Sequence, residues 1–371
     1  MIDFFNDIEG QHRVKQILSK FNSGVKIPHA LLFTGIDGVG KEKMAIKFAQ
    51  FLSSLSVKKE ELERVQNMIS NLSEPYVKYI VPLPRGKNET ESDSPTDKLS
   101  KDEIELLQEE LKRKSGNLYY HFDLPKANTI KINSIREIKK FISLEFSDIS
   151  YRFIIISSAH MMNEAAQNAL LKNLEEPPAG VIFILITPYP NRLRETIRSR
   201  CWKITFDPLT NKQIANILTA DFNIDSGTAT SVAPFSDGSI TTALKLIEMD
   251  IGLLSEKTIS ILRYSFGHKF HSAFDEFSEL LKDQSAENIQ LIIKMIITWL
   301  NDLQKHKLGI NHYFFKEYKE TLEKFNAKFP DVELNNIALK LDRLSSHIKN
   351  NININLLAAN IIFELSELPA N

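Results

Sequence analysis

Eight residues early in the chain, Gly35-Ile36-Asp37-Gly38-Val39-Gly40-Lys41-Glu42, are spaced for holding phosphate. They fit G-x-x-x-x-G-K as far as the lysine. Glycines at Gly35, Gly38 and Gly40 let backbone N–H groups turn inward on phosphate oxygens, while Lys41 meets the β and γ phosphates. The pattern then needs a Ser or Thr whose hydroxyl ligates magnesium, and Glu42 stands there instead. Two unit charges about 4 Å apart at an effective dielectric of 20 interact by roughly 4 kcal/mol, so a carboxylate beside a polyphosphate is unfavourable in sign. A second departure lies at Ile154-Ile155-Ile156, which runs into Ser157-Ser158-Ala159-His160. In a phosphate-loop enzyme that strand ends in acids that hold the metal and polarise water. Serine has no charge and is a weaker base. His160 reads as an ordinary helix-start residue. The pattern alone leaves open a glycine-rich turn that binds nothing; its flanking elements favour an inherited nucleotide loop with impaired metal binding.

Those elements have the order that a phosphate loop requires. Ala30-Leu31-Leu32-Phe33-Thr34 is a short apolar run leading into the glycines, and a helix from Lys41 to about Ser53 carries Met44, Ala45, Phe48 and Leu52 on one face. Thr129–Ile132 reads as a strand, followed by a helix through Ile135, Ile138 and Phe141. Arg152–Ile156 and Val181–Ile186 are continuous apolar runs, expected as strands buried on both faces, and Trp202–Phe206 as a last one. A helix from about Asn163 to Glu175 ends at Pro177-Pro178. Strands alternating with helices argue a mostly parallel α/β sheet. After Pro208 only helical patterns remain.

Residues 86–103 differ from the rest, since Leu99 is the only apolar side chain of any size among Lys, Glu, Ser, Asp and Thr. Such a segment has little surface to bury against its ordering entropy and is expected to be mobile and dispensable. The flanking pieces 58–71 and 101–114 read as charged surface helices, their Lys and Glu runs as solvated faces.

Composition excludes several classes. At 371 residues the chain exceeds one ordinary core. A formal net charge of −1 lacks the basic excess of a protein that grips nucleic acid alone, so any DNA contact is expected to be shared with partners. The single cysteine, Cys201, rules out an internal disulfide and a cysteine-rich zinc site, and reads as a small buried hydrophobe. No basic n-region opens the chain and no run reaches about 18 apolar residues, so a cytoplasmic protein without membrane contact is expected.

Several runs, in order, make the chain resemble the bacterial clamp-loader ATPases of DNA polymerase III, and within that family the delta prime subunits. Gly10-Gln11 precedes the first helix, and Pro28-His29-Ala30-Leu31-Leu32-Phe33-Thr34-Gly35 leads into the loop. Asn168-Ala169-Leu170-Leu171-Lys172-Asn173-Leu174-Glu175-Glu176-Pro177-Pro178 and Thr196-Ile197-Arg198-Ser199-Arg200-Cys201 follow. The resemblance implies an AAA+ α/β domain at 1–208 with a charged insertion at about 55–115, a helical lid at 209–251 and a helical collar at 252–371 that joins subunits. It implies that Arg200 is an arginine finger acting in trans at a neighbouring subunit's ATP site. Thr187 falls at the first sensor position, and Thr241 stands where a second sensor arginine would be. The family often carries a four-cysteine zinc module where this chain has its insertion, so no metal is expected.

The loop hydroxyl, the acidic pair and the second sensor are thus lost, while the residue serving a neighbour is kept. The implied function is a non-hydrolysing delta-prime-like subunit with no required cofactor and a vestigial loop for ATP or phosphate. Its implied partners are clamp-loader ATPase subunits and a delta-like subunit, with the sliding clamp and primed DNA met through the complex. Two alternatives stay open: an active ATPase borrowing metal ligands such as Asp37 or Glu42, and a non-replicative scaffold of the same family.

Overall fold

Strand runs that are apolar throughout must sit between two layers, and in the computed structural model they do. The structure describes residues 4–23, 26–143, 150–280, 286–311, 313–330, 332, 334–347 and 354–367. Five parallel strands form one sheet: β1 (Ala30–Thr34), β2 (Val77–Ile80), β3 (Arg152–Ile156), β4 (Val181–Thr187) and β5 (Trp202–Thr205). Their order is β2-β3-β4-β1-β5. Every residue of β1 and β4 is buried, as their unbroken apolar runs require. The edge strands are less enclosed: β2 is buried only at Val77 and Ile80, and β5 shows Trp202 to solvent while Ile204 is buried. This is the α/β architecture expected from the sequence.

Two expectations need correction. Thr129–Ile132 is not a strand: Ile130 makes one isolated bridge to Met162, and a helix starts at Ile132. The β2 strand takes the sheet edge, and its four residues carry too little apolar pattern to be read from sequence.

The second correction concerns the insertion. Residues 86–103 are tied to the body rather than loose. Lys131, buried at the start of the Ile132–Ser143 helix, donates to Glu89 at 2.8 Å and to the Pro95 carbonyl at 2.9 Å. Asn133 donates to the Thr90 carbonyl, Arg136 pairs with Glu91, and Leu99 is buried. Composition misled because the segment orders itself through charged hydrogen bonds, each worth more than a neutral one. The helices at Lys59–Ser70 and Lys101–Gly116 are where expected, but Glu110 and Lys114 are buried rather than solvated.

The chain divides into two compact units, Met1–Ala229 with Ser236–Thr242, and Thr230–Phe235 with Ala243–Asn371. The division falls inside 209–251, so that stretch is shared between the units and the three-part layout stays a proposal. Among its described residues the regular elements of the second unit are all helices, with Trp299, Phe277, Ile296, Leu303 and Ile361 in its core. Within it, buried Asp302 accepts from the backbone N–H groups of Phe314 and Phe315 and from Lys305. No helix of the described residues is long and apolar enough to cross a membrane.

Candidate functional site

Parallel strands place their following loops at one edge of the sheet, where ligands of open α/β folds bind. The Gly35–Lys41 loop leaves β1 at that edge and enters the 14-residue helix Lys41–Ser54. Gly38 and Gly40 adopt φ of 73° and 85°, a region that disfavours side chains. A Cβ on Gly38 would come within 2.5 Å of the Thr241 backbone nitrogen, so only glycine lets the 238–241 segment close on the loop. That segment is anchored by the Ile240 N–H donating to the Gly38 carbonyl at 3.1 Å. Gln11 explains why its motif precedes the first helix: its buried side-chain amide donates to Asp207 at 2.7 Å and accepts from the Asp207 N–H, tying the chain start to the end of β5.

A cavity of 350 Å³ opens beside the loop, lined by Gly38, Gly40, Lys41, Glu42 and the return segment 118–128 that follows the Lys101–Gly116 helix. Lys41 is folded into its own loop, donating to the Gly35 carbonyl at 2.7 Å, to the Ile36 carbonyl and to Asp37 at 3.4 Å. Burial depresses its pKa, with Asp37 and then Glu42 opposing that fall. His160 lines the same cavity from a single turn at Ala159–Met161. Its Nδ1 is buried without a hydrogen-bond partner, and burial lowers its pKa, which favours the neutral ring.

Glu42 does not face the cavity as a bare charge. One carboxylate oxygen accepts from Tyr79 of β2 at 3.0 Å and from Ser157, which follows β3. The other pairs with the ammonium of Lys114, the insertion lysine that is 2% exposed. Burial alone would raise the Glu42 carboxyl; the Lys114 ammonium, with the Ser157 and Tyr79 hydroxyls, draws it below its ordinary value. Burial and then the Glu42 charge push the Tyr79 phenol well up. Neither Lys114 nor Tyr79 was identified from sequence. The signal was present in Glu42 itself, because a carboxylate at a buried helix start needs a cation, but three lysines lie between 101 and 114 and nothing in the sequence chooses among them.

The remaining expected residues lie elsewhere. Thr187, the sensor-like position, ends β4 and pairs in register with Thr34. It is fully buried, accepts from the Tyr189 N–H at 2.9 Å, and is not part of the cavity lining. Arg200 precedes β5, and Leu31 pairs with Trp202, so this arginine sits at the sheet edge opposite the loop. About a strand length, roughly 15 Å, separates the two edges. Its side chain is 37% exposed, the guanidinium donating to the Thr196 carbonyl at 2.9 Å and pairing with Glu175 at 3.0 Å. The pair joins the two most distinctive sequence runs. Cys201 beside it is buried, its thiol pushed up to about 12 by desolvation, in keeping with a packing role.

Comparison with known proteins follows the same runs. The family model described as DNA polymerase III, delta subunit, matches residues 10–210, and the one described as DNA polymerase III, delta subunit, C terminal, matches 267–367. The DNA polymerase III subunit tau of Bacillus subtilis (strain 168) is 26% identical over 82% of this chain and 50% of its own length. The chain thus spans about half of that relative. The DNA polymerase III subunit delta' of the same organism is 24% identical over 67% of this chain and 75% of its own length. The subunit delta' of Escherichia coli (strain K12) is 30% identical over 37% of this chain and 41% of its own length.

Proposed function

Because the chain belongs to the DNA polymerase III clamp-loader family, we propose that it is a delta-prime-like subunit that hydrolyses no ATP itself and lends Arg200 to a neighbour. The observation that carries this reading is the split across the sheet. At the loop edge Lys41 and Glu42 are held by groups of the chain itself, whereas Arg200 stands half-exposed at the other edge. An arginine there cannot serve its own loop, which lies a strand length away. Its tie to Glu175 joins two exposed groups, a kind of pair worth about 0–1 kcal/mol, and so yields easily to a phosphate.

Assembly falls to the second unit in this reading. An apolar stripe of Leu356, Ala359 and Phe363 lies on the Ile354–Ser366 helix, with Leu356 and Phe363 more than half exposed. Ile352, which the same sequence spacing would include, lies outside the described residues. Phe270 packs against Phe363 at 5.3 Å between ring centroids and extends the apolar surface. A face of this kind fits subunit contact better than solvent. The ring partners would be clamp-loader ATPase subunits and a delta-like subunit, with the sliding clamp and primed DNA engaged by the whole complex.

The test is steady-state turnover by the purified chain. No ATP hydrolysis above background is expected, with or without DNA. Turnover that Lys41→Ala abolishes would establish the alternative, an active ATPase.

A further inference from the structure

Magnesium is the ion that a phosphate loop implies, and the residues of this chain do not fit it. A phosphate-loop enzyme presents metal ligands from the hydroxyl after the loop lysine and from the end of the neighbouring strand. Here those two positions are Glu42 and Ser157, and Tyr79 of the edge strand joins them. All three converge on one hydrogen-bonded cluster, and its cation is the ammonium of Lys114. We infer that Lys114 is a tethered replacement for the divalent ion, so that the loop corner takes a protein ammonium in place of magnesium. The inference rests on the non-hydrolysing reading of the loop and deepens it.

The geometry is that of a filled site. An ammonium has three donors. Lys114 spends them on the Glu42 carboxylate, the Leu118 carbonyl at 2.9 Å and the Tyr120 carbonyl. Magnesium demands near-octahedral oxygen ligation at about 2.0–2.1 Å. Both Glu42 oxygens are already engaged, one by two hydroxyl donors and one by the ammonium. A metal would have to displace a side chain fixed at both ends.

That fixing is built by the insertion. Lys114 lies in the last turn of the Lys101–Gly116 helix, where the helix dipole favours a cation. Buried Glu110, one turn earlier, accepts from the Tyr120 hydroxyl at 2.8 Å and the Asp123 N–H at 3.1 Å. Those bonds fold residues 118–123 back over the helix end and bring the Leu118 and Tyr120 carbonyls onto the ammonium. The insertion therefore supplies the charge and also the cage that holds it.

Removing the charge while keeping the corner should create a metal site there. The probe is Mn²⁺ alone, titrated against the full chain and followed by electron paramagnetic resonance. Wild type should show no stoichiometric site below millimolar Mn²⁺. Lys114→Met should gain one site at least tenfold tighter, and Lys114→Met with Glu42→Gln should lose it again. A folded Lys114→Met chain that binds Mn²⁺ no better than wild type would make Lys114 a plain structural lysine and overturn the inference. If Lys114→Met does not fold, Lys114→Gln keeps donors for the Leu118 and Tyr120 carbonyls and faces the same two outcomes. ATP turnover is recorded in parallel. A wild-type Mn²⁺ site removed by Glu42→Gln, without turnover, sinks this inference alone, whereas wild-type turnover sinks the non-hydrolysing reading.

Discussion

The two edges of the sheet handle charge in opposite ways. At the loop edge, Lys41, Glu42 and Lys114 are each buried or nearly so, and each has its hydrogen bonds completed by the chain. At the Arg200 edge the charged groups are half-exposed and held by a single ion pair and one carbonyl. Breaking a buried pair leaves an uncompensated charge and is costly, while an exposed pair opens at little cost. The first edge therefore resists disturbance, and the second does not. The phosphate loop keeps its glycine turns, and the charges at its end are satisfied within the chain.

The largest expected effect tests the open edge. Arg200→Ala should leave folding and assembly nearly unchanged and slow hydrolysis at one adjoining site by about 10³ to 10⁵, roughly 4–7 kcal/mol. Bulk turnover in a reconstituted loader should fall only in part, since other sites keep their own arginines, and clamp loading should suffer more. Both assays unchanged, with the complex intact, would break the comparison at its functional end.

The closed edge should answer in stability instead. Glu42→Gln leaves the Lys114 ammonium buried without its counter-charge, a loss of about 3–5 kcal/mol in thermal or denaturant unfolding. Its pH dependence sharpens the point. The folded pKa of Glu42 lies below its unfolded value, so its contribution is complete above that value and disappears as pH falls through the folded one. Wild type should lose stability on acidification below about pH 5, and Glu42→Gln should show a shallower acid limb in that range. Equal acid limbs would mean that the carboxylate is not held by Lys114.

Replacing residues 88–98 by a Gly/Ser linker should cost about 2–3 kcal/mol, because buried Lys131 and Asn133 lose their acceptors. A change below half a kcal/mol would return the segment to the loose insertion that its composition implies. The smallest effect concerns assembly: Phe363→Asp, on the exposed stripe, should weaken subunit association by about 2 kcal/mol, near thirtyfold, with melting unchanged. Full-strength association in gel filtration would move the subunit contact to another face.

What the sequence determined by itself was whatever lies in contiguous runs. The apolar stretches Ala30–Thr34, Arg152–Ile156 and Val181–Ile186 read as buried strands, and the spacing of Gly35, Gly38, Gly40 and Lys41, with a strand before it and a helix after it, read as a phosphate-loop pattern with its hydroxyl missing. Arg200 was identified through its neighbours in the chain. Tertiary structure alone decided what faces Glu42. Tyr79, Lys114 and Ser157 come from an edge strand, an insertion helix and a strand end, with up to 115 residues between partners. No periodicity or composition encodes such a meeting, so Glu42 read as a repelling charge when it is a neutralised one. Residues 86–103 failed for the same reason. A polar segment looks loose until the buried Lys131 and Asn133 that it must satisfy are brought against it, because a hydrogen bond gains its worth from the burial of its partner and not from the local chain.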